Sequence, residues 1–133
     1  MRTKRQLLYA WILATLLSGI PSTLYALLTG GDLLESTRAV GAMVSMPDSI
    51  AAAALVHVSV SLFWSFLLWV VLPYRHTTLS ALLASAAIAF LDLRLIAPVF
   101  FPDVAALEFW PQFADHMMWG ACVGLAFHYR RRA

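Results

Sequence analysis

Apart from Arg38 and Arg94, every basic residue of this chain stands in one of three short segments that contain no acid. Arg2, Lys4 and Arg5 open the chain, Arg75 sits in a central turn, and Arg130, Arg131 and Arg132 close it. The acids Asp32, Glu35, Asp48, Asp92, Asp103, Glu108 and Asp115 all lie elsewhere, and long apolar stretches separate the basic segments. Basic clusters alternating with apolar stretches form the positive-inside pattern of polytopic membrane proteins. That pattern leaves few folds open. In lipid every backbone N–H and C=O must be paired within the protein, which admits helices and closed barrels and little else.

Four stretches reach the roughly 20 residues that a helix needs to cross a hydrocarbon core. They run approximately Leu7–Leu28, Ser49–Leu72, Thr78–Phe101 and Val104–Tyr129. The expected fold is therefore all-α, a single domain over residues 1–133 built as an integral membrane four-helix bundle. Composition agrees: 62% of residues are hydrophobic and 12% charged, where soluble domains carry about 25% charged. With the basic segments in the cytoplasm, both termini and the Pro73–Thr77 turn are inside, and the Thr29–Asp48 loop and Phe101–Asp103 turn are outside. Trp11, Tyr74 and Tyr129 then fall at the inner boundary, and Phe101 and Trp110 at the outer one. After Met1–Arg5 the apolar run continues past Pro21 to about Leu28 without a small-x-small cleavage site. It is expected to stay as the first span rather than leave as a signal peptide.

The outer loop carries its own signals. Gly30-Gly31 ends the first span, as glycine does at a helix C-terminus. Asp32 followed by Glu35 resembles a capping box, and Leu33–Val44 places Leu33, Leu34, Thr37, Val40, Gly41 and Val44 on one broad face. This predicts a short amphipathic helix in the first outer loop. Asp48 or Ser49 is the expected N-cap of the second span. Pro111 suits the first turn of a helix and not its interior, so the fourth span starts either near Val104 or at Pro111.

A charged side chain at the centre of a bilayer helix costs at least ~2.5–3.5 kcal/mol on the insertion scale, so each needs a reason. Asp92 and Arg94 fall in the third span, Asp115 in the fourth, and His57 and His116 join them. A rise of roughly 1.5 Å per residue puts all five in the outward half of the membrane. They are the expected site for a ligand or proton, with Glu35, Arg38, Glu108, Gln112 and Trp64 as secondary candidates. Helical spacing supports the grouping. His57, Ser61, Trp64 and Ser65 share one stripe, and Glu108, Gln112, Asp115 and Trp119 another. Asp92 shares a face with Ser85 and Ala89. Thr15, Ser18, Ser22 and Tyr25 share a face of the first span, which bends at Pro21. The structural reading stands beside this one: Arg94 pairs with Asp115, Glu108 or Asp103, Asp92 joins a hydrogen-bond network, the histidines are satisfied interior groups, and Glu35 and Arg38 form a surface pair.

His57, Asp92, Asp115 and His116 are a mixed N/O set acceptable to zinc or iron, but no local ligand motif supports it. Neither a metal nor any cofactor is favoured; haem between His57 and His116 would contend with Trp64 and Trp119. Cys122 is the single cysteine, which excludes an internal disulfide, a CxxC pair and a thiolate zinc cage. No phosphate loop or serine-nucleophile elbow occurs. Three-residue basic clusters beside apolar helices are topology determinants, so the expected partner is the lipid bilayer and not nucleic acid. Gly120 and Gly124 form a GxxxG pattern that admits close approach of another helix, including one from a second copy as a homodimer.

The stretches SGIPSTLYALLTGGDLLESTRAVGA (Ser18–Ala42) and ADHMMWGACVGLAFHY (Ala114–Tyr129) resemble small four-span bacterial inner-membrane proteins without an assigned activity. The resemblance extends over nearly the whole chain and implies a bacterial cytoplasmic membrane. It supplies no catalytic residue. The leading functional reading is a polytopic inner-membrane protein whose outward-half polar pocket binds or moves a small ligand or proton. A small integral-membrane enzyme using Asp/His acid–base or metal chemistry comes second, and an accessory membrane subunit third.

Overall fold

The computed structural model describes residues 3–73 and 75–129. Arg2, Tyr74, Arg130, Arg131 and Arg132, which belong to the charge and aromatic patterns above, lie outside them. Every regular element among the described residues is helical. The first span is split into α1 (Lys4–Leu17) and α2 (Ile20–Thr29). Thr3 starts α1 with a capping box: its hydroxyl accepts from the Gln6 N–H, and the Gln6 side chain accepts from the Thr3 N–H. Pro21 lacks an N–H and its ring crowds the carbonyl four residues earlier. The expected bend is thus a full break, and it falls at Ser18–Gly19. Gly30, left-handed at φ 70°, closes α2.

α3 covers Glu35–Ala42, shorter than the expected Leu33–Val44. Its buried residues are Ala39 and Gly41, while Leu33, Leu34 and Val44 are exposed. The packing face is set by backbone proximity: a Cβ on Gly41 would stand 2.5 Å from the Met46 carbonyl oxygen. The Asp32–Glu35 capping box does not form. Asp32 Oδ1 instead accepts from the Leu34 N–H at 2.9 Å, and the Asp32 carboxylate pairs with Arg38. The expected Glu35–Arg38 pair is replaced because the loop folds Asp32 back over the first turn of α3.

α4 (Ile50–Val71) starts on Ser49, whose Oγ accepts from the Ala52 N–H. α5 (Thr77–Phe90) runs through a π-helical turn, Leu91–Ile96, into α6 (Ala97–Phe100). Pro98 accounts for the widened turn, since it cannot donate to the Arg94 carbonyl as an α-helix requires. The Ala97 N–H reaches back to the Asp92 carbonyl instead. α7 (Pro102–Ala105) is a separate short piece, and α8 (Phe109–Tyr129) follows. The fourth long helix therefore begins between the two expected starts, with Pro111 in its first turn. Three helical runs, Lys4–Thr29, Ile50–Val71 and Thr77–Phe100, are long and apolar enough to cross a membrane. α8, 21 residues long, holds Gln112, Asp115 and His116 in its first half.

α8 is the central helix. α5 packs along one side of it and α1 and α2 along another, while α4 packs on α1 and carries α3. Gln6 Nε2 donates to the Phe127 carbonyl, tying the start of α1 to the end of α8. Gly120 and Gly124 are buried against α5. A Cβ on Gly124 would stand 2.8 Å from Thr78 Cα, and one on Gly120 would collide with Ser85. The close approach that this pattern admits is made within the chain, by α5. Much of the interior is made of small residues, Ala10, Ala14, Ser61, Ser65, Ala81, Ser85 and Ala89 among them, with Trp119 and Phe127 as the large members. Large apolar side chains such as Leu16, Leu28, Leu55, Phe63, Leu83 and Val99 point outward.

Candidate functional site

The break in the first helix creates the site. Where α1 stops, its last carbonyls have no partner in the helix, and where α2 starts, its first N–H groups have none. The neighbouring helices supply both. His57 on α4 places Nε2 3.0 Å from the Thr15 carbonyl oxygen and 3.4 Å from Ser18 Oγ. Asp115 on α8 accepts the Ser22 N–H on Oδ1 at 2.8 Å. A carboxylate at a helix N-terminus and an N–H donor at a C-terminus each complement the helix dipole. His57 and Asp115 therefore cap the two halves of one interrupted helix from outside it.

Around this junction α2, α3, the first half of α4 and the first turns of α8 enclose an open cavity of about 430 Å³. Its polar wall includes Glu35, His57, Glu108, Gln112 and Asp115, with Asp32 at the α3 end. Contacts between elements hold the wall in place. The Tyr25 hydroxyl donates to Glu108, joining α2 to the start of α8. Gln112 Nε2 donates to Ser36 Oγ at 3.0 Å, joining α8 to α3. Thr15 Oγ1 donates to Ser61 Oγ at 2.8 Å, and the Trp119 Nε1–H reaches the same Ser61 oxygen at 3.1 Å, below the cavity. Four carboxylates line the space; Asp32 is paired with Arg38, which stands outside the lining, and no lysine or arginine is among the described lining residues.

The five primary candidates divide into two groups. His57 and Asp115 line the cavity, together with the secondary candidates Glu35, Glu108 and Gln112. Asp92 and His116 meet instead on another side of α8, with His116 Nε2 3.5 Å from Asp92 Oδ2. Successive helical residues diverge by about 100°, so Asp115 and His116 face different neighbours from one level. Arg94 joins neither group: its guanidinium lies 4.3 Å from the centre of the Phe109 ring, a cation–π contact in place of an acidic partner. Trp64 packs edge-on against Phe63 and against the core, and Arg38 is held by Asp32. The four residues weighed as a metal set are thus split between two places. Among the described residues no three His, Cys, Asp or Glu side chains gather closely enough to hold a metal ion.

Asp32 and Ser36 join the wall from outside the expected site: neither lies in an expected span, and the fold of the loop decides where they go. No family model, curated protein or solved structure matches this chain.

Proposed function

We propose that this chain is a four-span protein of a bacterial inner membrane, both termini cytoplasmic, whose outward-facing cavity binds a small cationic solute. The observation that carries the reading is the cavity itself, four carboxylates and a histidine around an interrupted helix with no lysine or arginine among the described lining residues. Clefts lined by one sign of charge concentrate ligands of the other. Interrupted helices that line a midplane cavity are also how many transporters place polar backbone at membrane depth. The membrane assignment draws support from the three apolar helical runs and from the division of side chains by size. Small residues inside and large apolar ones outside suit helices that pack by close approach in lipid. Leu28, for example, is 86% exposed and Leu16 71%.

The test is calorimetric titration of the purified protein in detergent with a series of primary amines and quaternary ammonium ions, against carboxylates of matched size. Amines bind and carboxylates do not. Glu108→Gln and Glu35→Gln, which keep shape and remove charge, each weaken amine binding by about tenfold, equivalent to roughly 1.4 kcal/mol. Equal binding of amines and carboxylates, or no heat with any cation, would sink the reading.

A further inference from the structure

One pair of titratable groups plays no part in the cavity. His116 Nδ1 lies 2.8 Å from the carbonyl oxygen of Gln112. A carbonyl only accepts, so Nδ1 carries a hydrogen. On the other side of the ring Nε2 faces Asp92 Oδ2 at 3.5 Å. With Nδ1 protonated, a neutral ring offers only a lone pair at Nε2, and an ionised carboxylate offers only lone pairs in return. A single proton between them, on nitrogen or on oxygen, converts that opposition into a hydrogen bond.

We propose that Asp92 and His116 form a proton-binding site between the π turn and α8, outside the cavity. Empty, the pair is a carboxylate beside a neutral imidazole and carries one negative charge. Loaded, it is neutral overall, as imidazolium with carboxylate or as imidazole with carboxylic acid. Each side chain is 25% exposed, so the pair is not sealed within the packed helices.

The surroundings leave the two groups to each other. α5 and α6 contain no titratable side chain. On the π turn, Arg94 is turned onto Phe109. On α8, Asp115 takes the Ser22 N–H, while Glu108, just before the helix, takes the Tyr25 hydroxyl of α2; Cys122, His128 and Tyr129 lie further down the helix. From the other packed elements, α7 brings Asp103, α4 brings His57 bound at the break, and α1 brings Lys4, Arg5 and Tyr9 towards the opposite end. Asp92 also anchors the π turn, because its carbonyl accepts the Ala97 N–H. The proton site stands whether or not the cavity takes a cation, since no ligand enters its geometry.

The experiment records ring-nitrogen spectra of the ¹⁵N-histidine-labelled full-length protein in lipid bilayers, without ligand, from about pH 5 to about pH 9, a range that brackets ordinary histidine titration. His116 is expected to keep Nδ1 protonated throughout while Nε2 alone gains and loses a hydrogen. Asp92→Asn moves the His116 midpoint by more than about one pH unit, the usual size of a close charge effect, and leaves His57 where it was. Asp92→Glu restores most of the wild-type titration. An Nε2-protonated neutral tautomer in the wild type, or a midpoint that Asp92→Asn does not move, would overturn the proposal. The tautomer is read on the unmodified protein, so a variant that fails to fold does not decide the matter. A protein that passes this test and fails the amine titration keeps its proton site and loses its proposed solute.

Discussion

A carboxylate in an apolar helix is ordinarily expected to face a cation, and Asp115 faces a backbone N–H instead. The partner of His57 is likewise a backbone carbonyl. Their depth in the chain was legible from spacing alone, because a charged or imidazole group inside a long apolar run stands out. Their partners were not, since a broken helix exposes backbone groups that no side-chain pattern announces. The same gap separates Arg94 from its expected acid: a guanidinium settles on the Phe109 ring as readily as on a carboxylate. The capping role predicts a split between two substitutions at one position. Asp115→Asn keeps an oxygen for the Ser22 N–H, and its unfolding free energy should stay within about 0.5 kcal/mol of wild type. Asp115→Ala removes the cap and should cost about 1–2 kcal/mol, the usual loss for a helix N-cap. Thermal unfolding followed by circular dichroism in detergent separates them. Equal losses would show that the Ser22 contact contributes nothing.

The elements are punctuated by two prolines used in opposite ways. Pro21 splits a helix outright and Pro98 widens one into a π turn, and each irregularity lies next to a polar pair. The helices themselves were readable, because long apolar stretches have few alternatives, and three of the four expected spans are long and apolar enough to cross a membrane. Their internal breaks were only half readable: Pro21 signalled a bend, while the π turn depends on which carbonyl the Ala97 N–H finds after Pro98 has disturbed the ladder. The GxxxG pattern was visible too, but sequence could not say whether its partner was this chain or another. Gly120 and Gly124 seat α5 against α8, so Gly124→Ala should cost about 1–3 kcal/mol by overpacking. Gly19, where a Cβ would meet nothing within 4 Å, provides the contrast, and Gly19→Ala should cost less than about 1 kcal/mol. If chemical unfolding ranked the two alike, the close approach of α5 and α8 would be misjudged.

Across the whole molecule, the orientation proposed from the basic segments can be read with one thiol at a time. In a Cys122→Ser background, a membrane-impermeant maleimide should label Met46→Cys in intact spheroplasts and label Arg75→Cys only after lysis. The reverse pattern would invert the topology and with it the side from which the cavity opens. The apolar exterior predicts that the protein is extracted by detergent and not by high salt or alkali, as the membrane fraction of expressing cells will show. What was legible at this level is the all-helical build with long apolar runs, three of them long enough to cross a membrane, because hydropathy is a property of the whole chain and survives local irregularity. The break at Ser18–Gly19 has one more consequence at this scale. Ten residues of α2 form too short a segment to stand as a helix unaided, and they are steadied by α8 through Asp115 and Glu108. α1 is fastened separately, by Gln6 to the far end of the same helix. One helical run of the chain is therefore two segments clasped independently to a single post, α2 near the start of α8 and α1 at its end.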